Sequence, residues 1–162
     1  MFDRNIQDAM NEQINEELYS AYLYLSMSAF FEAQNLPGCA HWMRKQGEEE
    51  MGHAMKFFDF IHDRGGQVEL KAVKQPPADF ESPLKAFEMA LEHERHISER
   101  IHNLYSLATA ANDYASEVML QWFIQEQVEE EKTASEIIQQ LKRVGDNGSA
   151  LLMIDARLGS RE

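Results

Sequence analysis

The chain has 162 residues, with 28 acidic side chains against 15 lysines and arginines and a formal net charge of −13. That balance excludes a nucleic-acid binder, because no basic stripe is available to meet phosphates, and it suits cationic partners better than an anionic membrane surface. The single cysteine, Cys39, excludes an intramolecular disulfide framework and any cysteine-built zinc or iron–sulfur site.

The N-terminal stretch MFDRNIQDAMNEQ lacks the apolar core of a secretory signal, and no apolar run approaches the roughly 18 residues that span a bilayer. A cytoplasmic protein is expected. Apolar residues recur at helical spacing in four long stretches. The first runs from about Asn5 to Ala33 and stops near Asn35-Leu36-Pro37-Gly38. The second continues to Arg64, where Gly65-Gly66 supplies a C-terminal stop. The third opens at Ser82-Pro83, an N-cap followed by proline at the first helical position, and breaks at Asn112-Asp113. The fourth reaches Val144, with Lys142 and Arg143 in its last turn and Gly145 beyond it. A short fifth segment, NGSALLMIDARLG, is too small to extend the bundle.

The connections are unequal. Short turns join the first helix to the second and the third to the fourth, which makes each pair antiparallel. Between the second and third lie the 17 residues GQVELKAVKQPPADFES. Extended, they cover about 55 Å, against roughly 42 Å for a 28-residue helix. They can run the length of a bundle and leave the second and third helices parallel. The expected fold is therefore all-α: a four-helix bundle with one long crossover, a short fifth helix, and a single domain over residues 1–162.

Each apolar stripe is interrupted near its midpoint by an acid or an amide. On the first helix Ile6, Met10, Ile14, Ala21, Tyr24 and Leu25 flank Glu17. On the second, Met43, Phe57 and Phe60 or Ile61 flank Glu50, with Gln46 and His53 between them. Glu94 sits among Phe87, Leu91, Ile97, Ile101 and Leu104 on the third. Gln127 and Glu130 sit among Met119, Phe123, Ala134, Ile137 and Leu141 on the fourth. A buried, uncompensated carboxylate costs several kcal/mol, so four such interruptions at one height call for a common partner.

The spacing repeats. Glu17 to Glu50 is 33 residues and His53 follows by 3; Glu94 to Gln127 is again 33, and Glu130 follows by 3, an offset of 77 between the hairpins. Glu49 maps onto Glu126 by the same offset. One residue from the first helix of each hairpin and an i, i+3 pair from the second is the ligand plan of a dinuclear carboxylate site. Oxygen donors with one imidazole and no thiolate suit iron or manganese. Glu17 and His53 are assigned to the first ion, Glu94 and Glu130 to the second, with Glu50 bridging. Gln127 is a weaker ligand or positions oxygen or water.

Carried on NEELYSAYLYLSM, GCAHWMRKQGEEEMGHAMKFFDFIHDRGG and LQWFIQEQVEEEK, the chain resembles the prokaryotic non-haem ferritins over nearly its full length. That resemblance implies a homo-oligomeric shell of 24 subunits that oxidises Fe(II) with O2 or H2O2 and stores Fe(III) as an oxide mineral. It implies that Glu17, Glu50, His53, Glu94, Gln127 and Glu130 form the ferroxidase centre. It also implies a third iron site nearby on Glu49, Glu126 and Glu129 with a share of Glu130. By spacing alone, those three acids read as a solvated face. Tyr24 matches a tyrosine beside the centre that supplies an electron or a hydrogen bond, and Trp122 a neighbouring tryptophan. Haem is not expected: Met51 stands where haem-binding relatives place a ligand, but Glu130 replaces their histidine, and Met51 is read as packing. His41, His62, His93, His96 and His102 are read as surface or interface residues.

Overall fold

The computed structural model describes residues 2–162, and among them there are five helices and no strand: α1 (Arg4–Ala33), α2 (Pro37–Asp63), α3 (Pro83–Ala110), α4 (Tyr114–Val144) and α5 (Gly148–Leu158). Local chemistry sets most of their ends. Asp3 caps α1, its carboxylate accepting from the amides of Asn5 and Ile6. Ser82 caps α3 ahead of Pro83, and Asn147 caps α5. Asp113 caps α4 and is gripped at both oxygens by Arg64, at 2.8 and 3.1 Å, which ties the end of α2 to the start of α4. Gly65 leaves α2 at a φ of 72°, where a side chain would be strained.

The start of α2 is capped differently. Leu36 offers no side-chain acceptor. Instead Asp155 of α5 accepts from the amides of Gly38 and Cys39 at 3.2 and 2.8 Å. A Cβ on residue 38 would stand 1.7 Å from the Asp155 carbonyl oxygen, so the close approach of α5 requires glycine there. Five orphan-amide problems are thus solved, and the last one docks α5.

The crossover runs along α1 from end to end. Its carbonyls and amides meet Gln7 and Asn11 at Gln67 and Glu69, Asn15 at Lys71 and Ala72, and Ser26 at Pro77, and Phe80 packs on Phe30. Both α2 and α3 therefore begin at the end of the bundle where α1 finishes, as the contact of Trp42 with Phe87 also requires. The loop finds partners for its backbone without forming regular structure.

Two apolar cores result. One packs Met27, Phe31, Trp42, Met43, Phe87, Ile138 and Leu141 with Ile154 and Leu158 of α5. The other packs Ile6, Met10, Phe57, Ile61, Ile97, Ile101, Leu120 and Phe123. Between them lies a waist of buried polar residues. One expectation fails at the edge of these stripes, the placing of Leu25 on the inward face of α1, and Met51 also stands outside the core of the single chain. Leu25 is 51% exposed and Met51 is 46% exposed. Leu25 lies a full helical step past Tyr24, which carries it over the edge of the inward arc, and Met51 lies one step past Glu50 on α2. Both line an outward apolar groove with Leu18, Ala21 and Tyr22.

Candidate metal centre

The waist is built from one-turn spacings on four helices. Glu17, Glu50, His53, Glu94, Gln127 and Glu130 are all buried, the first four helices each contributing at least one. On α1, Gln13 sits one turn before Glu17 and donates from Nε2 to Glu17 Oε1 at 2.9 Å. Gln13 is itself oriented by Arg100, whose Nε donates to its Oε1 at 3.0 Å. On α2, His53 Nδ1 lies 3.1 Å from Glu50 Oε2, and its ring meets Trp122 and Phe123 edge-on.

Across the waist, Glu94 of α3 is bonded at both oxygens. The Tyr24 hydroxyl donates to Oε1, and Gln127 Nε2 donates to Oε2 at 3.0 Å and to the Glu94 carbonyl at 3.1 Å. Gln46 Nε2 donates to Glu130 Oε2. By contrast, Glu17 Oε2 and Glu50 Oε1 are buried without any hydrogen-bond donor. Orphaned buried acceptors of this kind are rare in folded proteins and costly.

Ligand atoms converge accordingly. Glu17, Glu50 and His53 bring one donor atom each within 4.8 Å of one another, and so do Glu50, Glu94 and Glu130. Glu50 belongs to both groups, which is what a bridging carboxylate requires. A third overlapping group joins His53, Glu126 and Glu130. The chemistry of the donors, four carboxylates and an imidazole, fits divalent iron.

Electrostatics points the same way. Burial first, and then the Glu50 carboxylate, raise the Glu17 pKa well above the usual range, and burial followed by Glu94 does the same to Glu50. Burial also raises Glu94, against the opposing hydrogen bonds of Tyr24 and Gln127. Glu130 is pushed up to about 8 by burial and by Glu94. Without a cation the cluster holds protons, and a bound cation would displace them.

The remaining expected residues are distributed unevenly. Tyr24 is fully buried against Glu94. Glu126 is half-buried within the third group, whereas Glu49 and Glu129 are exposed and join no group of converging ligands. Glu49 is engaged elsewhere: its Oε2 lies 2.8 Å from Arg161 Nη2.

Residues 7–144 match the ferritin-like domain family (Ferritin). The chain belongs to the ferritin family. It is 45% identical over 161 residues to a bacterial non-heme ferritin of Bacteroides fragilis, covering 99% of this chain and 100% of that one. The bacterial non-heme ferritin of Staphylococcus aureus is 37% identical over 161 residues, 99% of this chain and 97% of that one. In three dimensions the fold superposes with a TM-score of 0.99 on an open pore ferritin from the hyperthermophilic archaeon Archaeoglobus fulgidus, at 46% identity and 100% coverage of both chains.

Four residues of this ferritin that touch the centre were not singled out as site residues by spacing. Gln13 and Gln46 each stand one turn before a carboxylate, at Glu17 and Glu50, a relation visible in the sequence. His93 is only partly exposed: its Nε2 lies 2.6 Å from Ser20 Oγ and its ring faces Tyr19 and Tyr24. Burial, with His96 and Lys74 nearby, lowers its pKa to about 4, so it is neutral. Arg161 arrives from the C-terminal tail.

Proposed function

We propose that this ferritin is an iron-storage ferroxidase, with residues 1–162 acting as one ferritin-like unit. Two Fe(II) ions enter the waist as substrate, one on Glu17 and His53, the other on Glu94 and Glu130, with Glu50 shared. Each ion gives up one electron, and O2 takes both with two protons to become H2O2; alternatively H2O2 takes both with two protons to become water. The observation that carries this reading is the pair of donorless, buried oxygens on Glu17 and Glu50, two residues that belong to three-ligand groups joined by Glu50.

The chain's own residues hold the acids in register. Gln13, backed by Arg100, fixes Glu17; Gln127 and Tyr24 fix Glu94; Gln46 fixes Glu130. Tyr24, bonded to Glu94, is placed to supply a hydrogen bond or an electron. Glu49, Glu126 and Glu129 with Glu130 form a third iron position at the exit of the waist, a reading supported by the approach of Glu126 to His53 and Glu130. No role is assigned to haem.

Fe(III) then collects as a hydrous oxide inside a shell of 24 copies, in the cytoplasm. The outward apolar groove of α1 and α2, with Tyr22 and Leu25 about half exposed, supports packing between copies. Among the described residues no helix is long and apolar enough to cross a membrane.

Size-exclusion chromatography with light scattering, on protein loaded aerobically with several hundred Fe(II) per shell, tests this. A particle of about 24 subunits carrying soluble iron far beyond two or three ions per chain is expected. A small oligomer saturating near two ions per chain would instead identify a di-metal enzyme acting on another substrate.

A further inference from the structure

Arg161 lies beyond the last helix, yet it touches four residues at the rim of the waist, Glu49, Gln46, Trp42 and His41. Its Nη2 is 2.8 Å from Glu49 Oε2. Its Nη1 donates to Gln46 Oε1 at 2.9 Å and to the Trp42 carbonyl at 3.3 Å. The guanidinium lies over the Trp42 ring, 4.7 Å from its centre, and the Arg161 carbonyl lies 2.7 Å from His41 Nε2. This placement is fixed from a distance. Asp155 pins α5 to the start of α2, and a Cβ on Gly159 would stand 3.1 Å from the Gly38 Cα, so the tail emerges alongside Trp42.

Two consequences follow from what a guanidinium can do. It is a permanent cation, so it holds Glu49 as an iron ion at the third position would. It is also a donor only. Bonded to Gln46 Oε1, it turns the Gln46 amide so that Nε2, and not Oε1, faces Glu130. We propose that Arg161 is a resident cation at the rim of the centre, competing with a third metal ion for Glu49. This rests on reading Glu49, Glu126, Glu129 and Glu130 as the third iron position.

Anaerobic calorimetric titration of metal-free protein with Fe(II) tests it, comparing the wild type with R161Q, R161K and E126Q. All four should bind the first two ions per chain, because the ligands of the paired site are intact. The third ion should bind R161Q about two- to fivefold more tightly than wild type, the range set by a partly exposed ion pair. High salt should narrow that gap. R161K keeps the charge and should stay near wild type. E126Q should lose the third ion.

Equal third-ion affinity in wild type and R161Q, with E126Q still abolishing it, would overturn the role of Arg161 and leave the third position standing. R161K behaving like R161Q would overturn the argument from charge. A third ion lost from R161Q but kept by wild type would overturn the competition, and a third ion unaffected by E126Q would remove the third position and the proposal with it.

Discussion

The two hairpins of this ferritin carry the same spacing and solve the same burial problem in opposite ways. In the first, Glu17 and Glu50 each keep one buried oxygen without a donor. In the second, Glu94 has donors at both oxygens and Glu130 has one from Gln46. The offset of 77 places Gln127 where the first hairpin has Glu50, and that one exchange of acid for amide supplies a donor and removes a charge. Conversely Gln13 and Gln46, one turn before the first hairpin's ligands, correspond by the same offset to Ala90 and Phe123. A repeated backbone plan fixes where polar groups stand; the local side chains decide which half has its acids bonded by protein donors and which keeps buried oxygens without one.

That contrast can be broken most sharply at Glu50, the carboxylate common to both groups. Glu50→Ala should remove the paired site as a unit, lowering the rate of Fe(II) oxidation by more than about a hundredfold, beyond the 10–100-fold typical of losing a residue that merely supports a ligand. Stopped-flow absorbance measures it, and a rate within threefold of wild type would contradict the shared role.

Making the halves alike is the next test. Gln127→Glu replaces the donor facing Glu94 by a carboxylate, leaving that oxygen and a new charge uncompensated. Metal-free protein should lose roughly 1–3 kcal/mol, read by denaturant unfolding, and divalent metal should restore more stability to the variant than to the wild type. An unchanged or more stable metal-free variant would show that Gln127 does not complete its half.

The same contrast predicts a dependence on pH. The four acids have raised pKa values when folded, Glu130 at about 8, against about 4.3 for an unperturbed glutamate. The folded, metal-free protein holds protons that the unfolded chain releases, so no penalty exists below about pH 4.3. The penalty grows with pH and is complete once pH exceeds the folded values. Chelator-treated protein should therefore melt at lower temperature at pH 8.5 than at pH 5.5, and Fe(II) under anaerobic conditions should shrink the difference. A melting temperature that rises over that interval would contradict it.

The ends of the helices were legible because Ser82-Pro83, Gly65 and the Asn112-Asp113 break act within a few residues of themselves. The gathering of Glu17, Glu50, His53, Glu94, Gln127 and Glu130 was legible because a helix carries register over its whole length, so equal spacing on two hairpins means equal height. The contacts that orient them were not. Gln46 reaches Glu130 across 84 positions and Arg161 reaches Gln46 across 115, and such pairings follow from how helices rotate against one another. The same rotation put Leu25 outside the arc on which the stripe placed it and drew His93 toward Tyr24. Capping of α2 by Asp155 was hidden for a related reason, since the helix has no acceptor of its own at Leu36.

The central claim is that this waist holds two ions with Glu50 between them. Anomalous X-ray scattering at the iron edge, from crystals equilibrated with Fe(II) without oxygen, addresses it directly. Two peaks about 3.5–4 Å apart, one beside Glu17 and His53 and the other beside Glu94 and Glu130, are the expected result. A waist without iron, or one ion with Glu50 turned away from it, would contradict the account.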